Sequence, residues 1–167
     1  MRDLSVVLVE PEIHWNTGNV GRTCLAAGAQ LHLVEPLGFS IDAHAVRRAG
    51  LDYWPLVEVR TYPTLAEGEA GVRAMAGPCD PRFWLLSGKA ERSYLDVDFR
   101  RGDALVFGKE SVGLPESLLE ERASATIGIP TLGAVRSLNL ANSVAIVLYE
   151  ALRRIGALDV TRGPSAQ

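Results

Sequence analysis

Three short stretches hold the residues best suited to chemistry. "NTGNVGR" (16–22) crowds Asn16, Thr17 and Asn19 at what reads as a helix start, with Arg22 on the first turns of that helix. A helix N-terminus presents unpaired backbone N–H groups and the positive end of the helix dipole, a ready site for an anion or polar ligand. "FGKESVG" (107–113) sets a single acid, Glu110, between Gly108 and Gly113, residues that let backbone approach a ligand closely. "RSLNLANS" (136–143) places Ser137, Asn139, Asn142 and Ser143 at the mouth of an otherwise apolar helix. Each stretch also has an ordinary explanation: a capped helix with one exposed arginine, a tight strand-to-helix turn with a solvated glutamate, and a cap with solvated neighbours. Capping alone does not call for all the polar residues of the third stretch.

Other chemistries find little support. The loop after the first strand, "EPEIHWNTGNVGR", has no GxGxxG, and "FGKESVG" lacks the upstream glycine and the Ser/Thr after lysine of a P-loop. Cys24 and Cys79 have no CxxC or Cys/His spacing, so neither a zinc site nor a disulfide framework is expected, and a reducing cytoplasmic setting is the simplest one. His14, His32 and His44 form no metal-like group, and structural or surface roles are expected for them. The net charge of −3 gives no global basic footprint for nucleic acid. The basic residues are 15 Arg against 2 Lys. That choice suits bidentate phosphate recognition, although a compositional bias explains it equally well.

The elements that must position these residues alternate along the chain. Apolar β-branched runs at 4–10, 31–36, 56–62, 82–88, 104–108 and 125–130 read as strands. Segments 16–29, 42–50, 64–77, 115–122 and 138–156 read as helices, the first capped by Asn16 or Thr17 and the third weakened by two internal glycines. The alternation predicts a single α/β domain over 1–156, a parallel sheet flanked by helices, with a frayed tail at 157–167. In such sheets ligands bind beyond the carboxyl ends of strands. The opening "MRDLSVVLVEPE" reads as a first strand and not as a signal peptide, and no apolar run approaches membrane-spanning length.

Taken together, "NTGNVGRTC" (16–24), "FGKESVGLP" (107–115) and "IPTLGAVRSLNLANSVAIVLYE" (129–150) resemble, in order, the three motifs of the SPOUT superfamily of RNA methyltransferases. "EPEIHWNTGN", "EPLGF" (35–39) and "RRAGLDYW" (47–54) carry a closer likeness to its small, extension-free TrmL type, the tRNA 2′-O-methyltransferases of wobble position 34. Two departures stand out: Lys109 where proline is common, and His14-Trp15 where small residues or proline are common.

The resemblance implies a C-terminal deep trefoil knot, S-adenosylmethionine as methyl donor, a homodimer, and a tRNA substrate of the leucine type carrying cytidine or modified uridine at position 34. It points to Leu86, Gly108, Gly113, Ile129, Leu132, Ser137 and Leu138 around the cofactor, with Leu132 and Leu138 as adenine walls. It points to Asn16, Arg22, Glu110, Ser137 and Asn139 on the acceptor side, and to Arg47 and Arg48 for tRNA phosphates. No metal is required, because the donor is already activated. The stripe Leu140, Val144, Val147, Leu148 and Ala151 is expected to exceed what one sheet face needs, and so to serve, with the first helix, as the dimer contact. Competing readings are a ribose methyltransferase acting elsewhere on tRNA or rRNA, a silent RNA-binding module, and a generic nucleotide-binding α/β protein.

Overall fold

β1 (Ser5–Val9) is the run SVVLV with every residue buried. That is the signature of a strand covered by helices on both faces, where no polar-out alternation survives. The structure, a computed structural model, describes residues 3–40, 52–135 and 137–158. The helix expected at 42–50, with Arg47 and Arg48, and the tail from 159 lie outside the described residues.

β2 (Gln30–Val34), β3 (Val59–Tyr62), β4 (Phe83–Leu86), β5 (Ala104–Phe107) and β6 (Thr126–Ile127) join β1 in a six-stranded sheet of order β3-β2-β1-β5-β4-β6. Every pairing is parallel, with Val7 of β1 opposite His32 on one side and Val106 on the other. The run expected as one strand at 56–62 is divided: Trp54–Leu56 forms a 3-10 turn with Pro55 inside it, and the strand starts only at Val59. Pro55, whose ring fixes φ near −65°, suits the turn and holds Leu56 out of the extended run.

α1 (His14–Ala27) and α4 (Leu140–Arg154) pack together over one face, against Val6, Leu8, Leu31, Leu33, Leu105 and Phe107. α2 (Leu65–Met75) and α3 (Glu116–Glu121) cover the other, where Val7, Val9, Val34, Leu85 and Val106 point. The period-2 alternation of the strands thus feeds two separate cores. In α2 the internal glycines Gly68 and Gly71 let the Tyr62 ring lie against the helix; a Cβ on Gly71 would fall 2.3 Å from the Tyr62 hydroxyl. At the amino end of β5, buried Asp103 accepts from Arg82 Nη2 at 2.7 Å and Trp84 Nε1 at 3.0 Å, so its charge is satisfied far from the carboxyl edge.

One expectation is overturned. Leu140, Val144, Val147, Leu148 and Ala151 are all buried within this chain's own core and leave no surplus for a partner. The exposed apolar residues of α4 are Ile146 and Tyr149.

The order of strands creates a switch point. β1 leads through α1 to β2 on one side, whereas neighbouring β5 leads through α3 to β6 on the other. The connections diverge, and a crevice opens beyond the carboxyl ends of β1 and β5. The loops 10–13 and 108–113 meet there.

Candidate functional site

Glu110 is the centre of the site's hydrogen bonding. Its Oε2 accepts from the Glu12 amide at 2.8 Å, and its Oε1 accepts from the Ile13 amide at 3.3 Å and from Asn16 Nδ2 at 3.1 Å. These donors are at the start of α1, whose N-cap residue Ile13 has no side chain able to cap. A carboxylate from the loop after β5 therefore caps α1, a placement the helix dipole favours by about 0.3–1 kcal/mol. The expected caps, Asn16 and Thr17, lie inside the helix because it begins two residues earlier, at His14, and both are buried.

Asn16 continues the chain of bonds. Its Oδ1 accepts from Asn139 Nδ2 at 3.0 Å, while Asn139 Oδ1 caps α4 by accepting from the Ala141 and Asn142 amides at 2.9 and 3.3 Å. Glu110, Asn16 and Asn139 thus tie all three motif segments together at the crevice, and each is placed by a different element. Around them the two loops are buttoned together. Lys109 Nζ donates to Glu10 Oε2 at 2.7 Å, an ion pair that holds the lysine pKa above its usual value. Glu12 accepts from the Ser111 hydroxyl and amide, both at 2.9 Å, and these bonds hold its carboxyl below the usual range. Glu10 adopts a left-handed φ of 52°, the bend that lets β1 turn into this contact.

The glycines of the second motif earn their place by geometry. A Cβ on Gly108 would sit 2.1 Å from the Gly113 carbonyl carbon and 2.2 Å from the Leu114 amide. Gly113 itself turns at φ 77° and donates its amide to the Lys109 carbonyl at 2.9 Å, which closes the loop on itself.

The remaining expected residues separate into groups. Arg22 is exposed, with its guanidinium carbon 5.2 Å from the Tyr53 ring centroid, and it makes no hydrogen bond or ion pair among the described residues. Tyr53 is anchored by its hydroxyl, which donates to the Gly18 carbonyl at 2.8 Å, and burial raises its pKa. Leu86 ends β4 and Ile129 packs against the core. Ser137 is exposed, and so are Leu138 and Leu132, the latter at 103%. The two leucines expected to wall an adenine therefore project into solvent. Cys24 is buried in α1, where desolvation pushes its thiol up to about 12. Among the described residues no group of His, Cys, Asp and Glu is arranged to hold a metal, and no helix is long and apolar enough to cross a membrane.

Glu10, Glu12, Ser111 and Tyr53 were not singled out by sequence. Two acids directly after an apolar strand, facing a Lys and a Ser directly after another, are the available signal. It becomes readable only once β1 and β5 are known to be neighbours.

The molecule is a parallel α/β protein with glycine loops and two capped helix starts at its switch point, the place where such sheets bind ligands. The comparisons narrow the class. The family model described as "SpoU rRNA Methylase family" matches residues 3–149. The tRNA (cytidine(34)-2′-O)-methyltransferase of Aeromonas hydrophila is 44% identical over 154 residues, covering 92% of this chain and 95% of that one. A solved structure described as giving structural insights into the 2-OH methylation of C/U34 on tRNA matches with TM-score 0.79 and 44% identity, over 92% of this chain and 97% of the other. The SpoU methyltransferase AviRb from Streptomyces viridochromogenes in complex with AdoMet matches with TM-score 0.76 and 25% identity, over 92% of this chain and 58% of the other. The chain belongs to the SpoU rRNA methylase family, in keeping with the resemblance read from its three motifs.

Proposed function

We propose that this protein transfers the methyl group of S-adenosylmethionine to the ribose 2′-hydroxyl of nucleotide 34 in tRNA. The observation that carries the reading is the Glu110–Asn16–Asn139 chain, which fixes three motif segments at the switch-point crevice, while the exposed Arg22 rests on the Tyr53 ring with no hydrogen bond or ion pair among the described residues. The relative from Aeromonas supplies the substrate and position.

The residues fit the cofactor. Leu132, Val135 and Leu138 are exposed apolar side chains on one loop, and the space beside Gly133 is open to 4 Å. A flat heterocycle against these leucines would remove from water apolar surface that the chain leaves uncovered. Leu86, Gly108, Gly113, Ile129 and Ser137 would offer main-chain groups to its polar edges. When bound, the sulfonium supplies an activated methyl group, so a new O–CH3 bond forms as the S–CH3 bond breaks, and the hydroxyl proton leaves to phosphate or water.

The chain's own residues hold the acceptor in line, which contributes several kcal/mol through positioning. Arg22 orients phosphate and stabilises the negative charge that develops on the 2′ oxygen. It does not act as the base, because guanidinium stays protonated in proteins. Glu110 and Asn139 position the loops; their polar atoms are already engaged with helix starts and Asn16. Ser137 faces the ribose.

Further features complete the reading. A trefoil knot is in keeping with the ends of the last connection: β6 lies at the sheet edge, yet α4 starts beside Asn16, on the far side of β4 and β5, and packs on α1 and β5. A homodimer is supported by the exposed Ile146 and Tyr149 on α4, beside α1. Arg47 and Arg48 add phosphate contacts. The methyltransferase domain spans 1–156, works in the cytoplasm, and takes leucine-type tRNA.

The test is mass spectrometry of tRNA from a strain lacking the gene. Loss of one 2′-O-methyl nucleoside at position 34, restored by the wild-type gene, is expected; an unchanged tRNA nucleoside profile would rule the reading out.

A further inference from the structure

Trp15 is 61% exposed, whereas the chain's other two tryptophans, Trp54 and Trp84, are buried. It stands on the first turn of α1, immediately before Asn16, the residue that bridges Glu110 and Asn139. Among the described residues the only ring against its indole is His14, edge-on with centroids 4.8 Å apart and planes at 71°. Most of the indole surface is left to solvent. Seven residues on, Arg22 returns to the same helical face, about 10 Å along the axis, with exposed Asn19 between them. The stripe presents an aromatic plane, an amide and a cation in line, beside the crevice.

RNA loops are recognised by splayed bases stacking on aromatic side chains, with cations on the phosphates. We propose that Trp15 is a stacking platform for an unpaired nucleobase of the tRNA, belonging to a nucleotide that flanks the methylated one. This deepens the tRNA reading above and rests on it. The backbone positions of Trp15 and Arg22 are about 10 Å apart along the helix axis, a spacing that suits a base on Trp15 from the nucleotide next to the one whose ribose Arg22 serves. Asn19 and Arg22 on the same stripe suit a ribose-phosphate chain. A subunit contact is better served by the apolar Ile146 and Tyr149.

The test compares full-length wild type, Trp15→Phe and Trp15→Ala. Methylation of tRNA is measured together with cofactor affinity, sedimentation, and quenching of tryptophan emission by tRNA. With Trp54 and Trp84 buried, emission from an exposed tryptophan reports on Trp15. Trp15→Ala is expected to raise the tRNA concentration for half-saturation about 5- to 100-fold, with cofactor affinity unchanged. Trp15→Phe is expected to restore most of that loss, and tRNA to quench emission in wild type but not in Trp15→Phe. An unchanged half-saturation in Trp15→Ala overturns the platform. So does a wild type that methylates tRNA without quenching, or a Trp15→Ala variant that fails because it sediments as a smaller species. A wild type that transfers no methyl to tRNA overturns the tRNA reading itself, and the platform with it.

Discussion

A guanidinium that stays charged at every working pH serves an alkoxide better as a counter-charge than as a base. Arg22 fits that use: it is exposed, held against the Tyr53 ring, and in no hydrogen bond or ion pair among the described residues. Arg22→Ala is expected to lower single-turnover methylation by about 10²–10³ while cofactor affinity holds, because the interaction forms only as charge develops. Arg22→Lys should recover little, since a point charge cannot reproduce a planar fork. Near-normal turnover in Arg22→Ala would take the residue out of the chemistry. Asn139 sits at the other extreme. Its side chain both caps α4 and bonds Asn16, so Asn139→Ala should cost about 1 kcal/mol of stability from the lost cap, read as a lowered Tm. It should also weaken turnover by loosening the crevice. A variant with unchanged Tm would show that the cap carries no stability.

At the scale of elements, most of the architecture is legible in residue patterns. The runs at β4 and β5 are apolar throughout, and β1 from Val6 on, because both of their faces are covered, and that is what predicts a parallel sheet with helices on each side. Ends are harder to place. α1 begins at His14 and not at Asn16 because its cap is Glu110, a residue 97 positions from Ile13, and no local pattern encodes a cap delivered from another loop. The same non-locality hid Glu10, Glu12 and Ser111, whose pairings exist only because β5 docks beside β1. The α4 stripe misled for a different reason. Periodicity reports how much of a helix is buried but not by what, and here α1 and the sheet take all of it. Lys109, where the resemblance leads one to expect proline, forms an ion pair with Glu10.

For the molecule as a whole, His32 links stability to pH. It is fully buried in β2, stacked on Tyr62 with Nδ1 3.2 Å from the hydroxyl, and its Nε2 has no partner among the described residues. Burial, with the Arg60 charge adding to it, lowers its pKa to about 4. The folded state therefore keeps the imidazole neutral while the unfolded state takes up a proton below about 6.5. Stability from this group is complete above pH 6.5 and falls as pH drops toward 4, by at most about 3 kcal/mol. Denaturant melts of wild type and His32→Leu should diverge in slope across that window; parallel curves would remove His32 as the source. The central claim, that the crevice between β1 and β5 methylates a ribose hydroxyl at one tRNA position, is tested most directly by substrates differing in a single oxygen. Purified protein, labelled S-adenosylmethionine, and tRNA carrying a 2′-deoxy nucleotide at position 33, 34 or 35 suffice. Incorporation should vanish for deoxy-34 and persist for deoxy-33 and deoxy-35. Full incorporation into deoxy-34 tRNA would contradict it.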